Sequence, residues 1–213
     1  KIWNAFRLIK GWETDDTIPQ PETAKIAAEW FQSKLSETIA ELDDLFSKYR
    51  LSEALMLLYK LFWDEFSAWY LEMIKPAFGA PIDKETFEAT TGFLVRLLKL
   101  LHPFMPFISE ELYQHLKSDT DPESISISEM PSASAYNESI LKEFAYTRQV
   151  VMAIRNIRQE KAIPYKEAVE LFIKKNNKQT ADTTFDPLVM KLCNLSRIEY
   201  VGEKPDNALT FLV

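Results

Sequence analysis

Cysteine, histidine and glycine are all scarce in this chain. A single cysteine among 213 residues excludes a disulfide framework and any multi-cysteine zinc site. Two histidines, His102 and His115, leave little for metal chemistry, so no metal centre is expected. Four glycines are too few for a turn-rich sheet protein, and none forms a glycine-rich phosphate loop. No apolar run reaches the roughly 20 residues needed to span a bilayer, and no signal peptide precedes Lys1. The expectation is a soluble, cytoplasmic protein with no membrane contact. Positive charge is also in deficit: 25 Lys and Arg against 32 Asp and Glu leave a net charge of −7. That argues against a partner gripped through many phosphate contacts, but not against one read through a few exposed bases. No nucleophile sits beside a plausible base, so no catalytic residue is expected. Cys193 falls in an apolar helical segment and reads as buried rather than reactive.

What is abundant is apolar surface: 46% of residues are hydrophobic and 13% aromatic, a profile of packed helices. The length suits one large domain or two small ones. The chain opens mid-helix without an initiator Met and stops abruptly after residues 210–213, which is expected of a piece of something longer.

The most conspicuous stretch is 94–116, LVRLLKLLHPFMPFISEELYQHL. Leu94, Leu98, Leu101, Met105, Ile108, Leu112 and Leu116 form one helical stripe. Phe93, Leu97, Leu100, Phe104 and Phe107 form a second. Two adjacent apolar stripes imply a helix buried over most of its circumference. Pro103 and Pro106 fall on the polar side, so the helix is expected to bend there rather than end. His102 and the doubled acids Glu110 and Glu111 read as structural parts of this post. His115, near the helix end, is placed to meet the last carbonyls.

Residues 1–11 read as a short helix. Ile2, Ala5, Phe6, Ile9 and Trp12 share one side, while Lys1, Asn4, Arg7, Leu8 and Gly11 lie opposite. Leu8 is therefore expected to be exposed among polar neighbours. A connector leads to a long helix marked by Ile26, Trp30, Leu35, Ile39, Leu42, Phe46 and Tyr49, with Pro21 suited to its first turn. Ser52 is a candidate N-cap for a third helix. That helix carries Tyr59, Phe62, Trp63, Phe66, Trp69 and Tyr70, a load best explained by core packing. Residues 125–127 alternate as a strand fragment would. A fifth helix, from about residue 137 to 160, turns Ile140, Phe144, Val151 and Ile154 inward. Along one flank it gathers Arg148, Arg155 and Arg158, a ridge that could contact phosphates or pair with Glu110 and Glu111.

Beyond Ala168 the pattern changes. Residues 170–174, 197–201 and 209–213 look like strands, with a helix at 186–193 and a hairpin-like turn at 202–207. The expected architecture is mainly α: a helical domain over 1–160 and a small α/β appendage over 161–213.

Five stretches in order carry a resemblance. LLHPFMPFISEELYQHL (100–116) is close to LLHPxMPFxTEELW of the valyl-tRNA synthetases, and KIWNAFRL (1–8) resembles that family's NKLWNAxRF helix. YRLSEALMLLYKLFWDEFSAWYLEMIKP (49–76), IRNIRQEKAIP (154–164) and SISEMP (126–131) resemble further family segments. The resemblance spans nearly the whole chain and implies the anticodon-binding helical bundle of a class I synthetase with its small α/β part. It implies an isolated region with no catalytic centre or cofactor of its own, the ATP and Mg²⁺ chemistry residing elsewhere in a longer, monomeric enzyme. It also implies valine tRNA and the enzyme's own catalytic domain as partners. Carried over residue by residue, it makes Lys1, Asn4, Arg7 and Leu8 the tRNA-contact candidates. The family often has Phe where Leu8 stands, so a stacking ring is missing there. Isoleucyl- and leucyl-tRNA synthetases are the nearest rivals, disfavoured by His102-Pro103, Arg155-Asn156 and the lack of a C-terminal cysteine cluster. A helical protein-interaction module with no RNA role is the rival of another class.

Overall fold

A computed structural model describes residues 1–174, 183–202, 205 and 208–211. The chain is mainly helical and divides into two compact units, residues 1–137 and 138–213. The expected boundary at 160/161 is thus moved upstream, because the fifth helix belongs with the appendage.

In the first unit, α1 (Ile2–Lys10) is followed by β1 (Thr14–Asp15) and the long helix α2 (Glu22–Ser47). Next comes one continuous helical run. It is built from α3 (Leu51–Lys60), a π-helical stretch over Leu61–Tyr70 and α4 (Leu71–Ile74). After β2 (Ile82–Asp83), α5 (Lys84–Leu101) and α6 (Pro106–Gln114) complete the bundle. The two short strands pair in parallel, Thr14 with Ile82 and Asp15 with Asp83, and so fasten the connector after α1 to the entry of α5. Asp83 caps α5 by accepting a hydrogen bond from the Thr86 amide at 2.8 Å, as a carboxylate at this position should.

Phe31, Phe66, Tyr70 and Phe93 form the aromatic centre, with neighbouring ring centroids 5.0–5.6 Å apart. The Tyr70 hydroxyl is buried there and is satisfied by Thr90 Oγ1 at 2.8 Å. Burial drives its pKa well above the ordinary range for a phenol. Core packing thus accounts for Phe62, Phe66 and Tyr70, but not for all of the aromatic load. Tyr59 is exposed, stacks on the half-buried Trp63 with centroids 4.6 Å apart, and joins Leu55 and Met56 in an apolar ridge on the outer side of α3.

The 94–116 stretch ends a helix and begins another, where a bend was expected. Pro106 disfavours the α conformation at the residue before it, and Met105 sits at φ −136°, ψ 62°. Pro106 itself occupies the first turn of α6, where its missing N–H costs nothing. Phe107, placed on an apolar stripe by the sequence, is 89% exposed as a result, because α6 does not continue the phase of α5.

Local chemistry overrides three other expectations. Tyr49 lies past the end of α2 with φ 57°. Its amide donates to Phe46 O and that of Arg50 to Leu45 O, the paired bonds of a Schellman close. Ser52 is not a cap; α3 begins at Leu51 after Arg50, whose guanidinium pairs with Glu53. Residues 125–127 form one 3₁₀ turn, Ile125–Ile127, rather than a strand, with Ser124 Oγ accepting from the Ser126 amide.

The second unit consists of α7 (Glu138–Glu160), β3 (Val169–Lys174), α8 (Asp186–Cys193) and β4 (Leu195–Val201). Ile140, Phe144, Val151 and Ile154 are buried as expected. Phe144 meets Phe185, just before α8, at 5.4 Å. β3 and β4 pair in parallel, which a chain can do only through a crossover. Residues 209–211, expected to begin a third strand, form none, while 212 and 213 and most of the expected turn at 202–207 lie outside the described residues. Cys193 is buried, and the apolar surroundings push its thiol up to about 11.

Candidate nucleic-acid interface

α1 is short and amphipathic, with Ile2, Ala5, Phe6 and Ile9 buried at the i, i+3, i+4, i+7 spacing. It packs on α5, and the Phe6 ring leans on the His115 ring with centroids 5.8 Å apart. His115 lies just past α6 and is 3.4 Å from Glu111 Oε1. Its side chain thus serves α1 and Glu111, not the final carbonyls of the helix.

With that face buried, Lys1, Asn4 and Arg7 are exposed together on the opposite arc. None of the three side chains forms a hydrogen bond or ion pair with a described residue, and Lys10, one turn beyond Arg7, is equally open. Leu8 is half-buried rather than exposed, because it borders the Ile9 side of the helix. The sequence reading passed over Trp3, which is 42% exposed on this arc and touches Phe6 at 5.6 Å. The signal was available: Trp3 stands one helical turn before Arg7, so the two share a face.

The arginines of α7 do not form one ridge. Arg158 is buried. Its Nη1 donates to Pro164 O at 3.0 Å, and its Nη2 lies within 2.9–3.2 Å of the carbonyls of Glu167, Cys193 and Asn194. It ties α7 to the loop before β3 and the end of α8, and its remaining donor, Nε, is buried out of reach of a phosphate. Arg148 is half-buried with its guanidinium over the Phe144 ring at 5.4 Å. Arg155 alone of the three is exposed. Glu110, considered as a partner for these arginines, is engaged locally. Gln114 Nε2, Ser124 Oγ and the Ile125 amide donate to it, Gln114 most strongly, and hold its carboxyl below the usual range.

His102 spans the break between α5 and α6, with Nδ1 2.8 Å from Ser109 Oγ and Nε2 3.1 Å from Ser126 Oγ. The Ser109 hydroxyl donates to Met105 O at 2.7 Å. Nδ1 is thus placed to donate to Ser109, and Nε2 shares a hydrogen bond with Ser126. This is a brace for the turn. Among the described residues no group of His, Cys, Asp and Glu is arranged to hold a metal, and no helix is long and apolar enough to cross a membrane.

Comparisons with known proteins identify the family of the chain. The model for the anticodon-binding domain of tRNA ligases matches residues 28–173. The chain belongs to this family. α1 lies before the matched range but within the alignments to individual relatives, which run the whole length of the chain. It is 57% identical over 213 residues to the valine–tRNA ligase of Phocaeicola vulgatus and 53% identical to that of Parabacteroides distasonis. A more distant valine–tRNA ligase, from Pseudothermotoga lettingae, is 34% identical over 216 residues. All of this chain is covered in each case, and it spans 24% of the length of these curated relatives.

Proposed function

We propose that this domain recognises the anticodon stem-loop of valine tRNA for a valine–tRNA ligase. In this reading the attachment of valine, with its ATP and Mg²⁺, is carried out by a catalytic domain outside this chain, in a monomeric, cytoplasmic enzyme. The support for valine over isoleucine or leucine is the similarity of the whole of this chain to part of proteins named valine–tRNA ligase. The observation that carries the RNA role is the exposed arc of α1, where Lys1, Asn4 and Arg7 project together without partners among the described residues. Arg7 can lay its guanidinium on a base or bond to a base edge, and Lys1 suits a phosphate. Leu8 contributes the apolar edge of the same face. Arg155 adds a phosphate contact from α7.

A role in protein contact alone, with no RNA, draws on the net charge of −7 and the apolar ridge of α3. Titrating the chain with tRNA transcripts separates the two. Valine tRNA is expected to bind weakly, to lose affinity when its anticodon is changed, and to lose it again with Arg7→Ala. Equal affinity for every anticodon would end the readout hypothesis.

A further inference from the structure

We propose that Trp3 is the base-stacking residue of the α1 face, its indole taking an unpaired nucleobase of an RNA loop. This rests on the reading that α1 meets an RNA hairpin, and it assigns the stacking that Leu8 cannot supply. Leu8 has no π-face and is half-buried, whereas Trp3 is 42% exposed on a helix whose inward residues are almost wholly covered. The indole is also braced from beneath. Its ring stands 5.6 Å from that of Phe6, tilted by 40°, and Phe6 is buried against His115 at 5.8 Å. A ring held in this way loses little rotamer freedom when a base settles on it.

The surroundings choose the occupant. Between Lys1 and Lys10 the sequence KIWNAFRLIK holds three cations and no carboxylate, in a chain whose net charge is −7. Arg7 lies one turn beyond Trp3 and Lys10 two turns beyond, with Asn4 beside it. Glu13 comes only past the helix end, and Glu111 is turned to His115. An exposed indole ringed by unpaired cations suits a polyanion that also offers flat aromatic surface, which is single-stranded RNA. A neutral or basic protein surface would leave those cations uncompensated.

The test is a fluorescence titration of the 213-residue chain against an RNA hairpin copying the anticodon stem-loop of valine tRNA. The hairpin carries 2-aminopurine in place of one loop base at a time. Trp3→Ala is expected to weaken binding about tenfold or more, and Trp3→Phe to retain most of the affinity. At one loop position, 2-aminopurine should be quenched by the wild-type chain and not by Trp3→Ala. The salt dependence of binding should be unchanged in Trp3→Ala but flattened by about one unit of slope in Lys1→Ala, which removes the phosphate contact. If Arg7→Ala weakens binding while Trp3→Ala binds and quenches like the wild type, the stacking role is overturned and the RNA reading stands. A Trp3→Ala variant that melts well below the wild type, or shifts the salt slope as Lys1→Ala does, also overturns it, since Trp3 would then be packing α1. If the wild-type chain does not bind the hairpin at all, the RNA reading fails and the stacking role with it.

Discussion

Arg7 in the first unit and Arg158 in the second are the same residue in opposite employment. Arg7 extends from an amphipathic helix with every donor open among the described residues. Arg158 is buried, and four carbonyl oxygens from two separate segments lie on its guanidinium. The difference teaches that positive charge is a poor guide to a nucleic-acid face. What decides is whether the backbone has already claimed the donors. A buried guanidinium without such partners would carry a severe desolvation penalty, so the burial of Arg158 and its four acceptors belong together.

Breaking that contrast begins with Arg158→Ala, which should have the largest effect on stability. It leaves the carbonyls of Pro164, Glu167, Cys193 and Asn194 without their donor, for a loss of about 3 kcal/mol or more. The loss should appear in thermal unfolding of the second unit. An unchanged melting profile combined with weakened RNA binding would reverse the roles assigned here. Arg7→Ala and Arg155→Ala come next and should do the opposite. Arg7→Ala should shift stability by less than about 0.5 kcal/mol. Arg155→Ala should weaken RNA binding alike for all anticodons and lower the salt slope by about one, as the loss of a phosphate contact does.

The smallest effect concerns Glu110. Its folded-state pKa is lowered, chiefly by the Gln114 side chain with help from Ser124 and Ile125. A group lowered on folding stabilises the protein above its ordinary pKa of 4.5 and loses that contribution as the pH falls through the depressed value. Glu110→Gln should therefore melt slightly below the wild type at pH 7, and the gap should close in acid. A gap that widens on acidification would contradict the assignment.

Much of the bundle was legible beforehand, because helical periodicity is a local signal. The inward residues of α1, the inward faces of α2 and α7, and the burial of Cys193 all follow from spacing and apolarity. The family was legible too, through five motifs in order, and the match over residues 28–173 agrees with it. Less legible was anything depending on a single backbone angle. Tyr49 continued a helical stripe on paper but turns left-handed at φ 57°. Pro106 sat on the polar side of a continuous pattern, yet it restricts Met105 so strongly that one helix becomes two.

The sequence by itself determined the helical class, the family and the amphipathic cut of α1, because each is written in local order along the chain. Only the tertiary structure decided which cations are available. Arg158 and Arg155 stand three residues apart on one helix, and no periodicity announces that the end of α8 and the loop before β3 converge on the first and bury it while the second stays exposed. The same holds for Trp3. Its exposure follows from where α5 and His115 stop covering α1, and that limit is set by packing between segments about a hundred residues apart in the sequence.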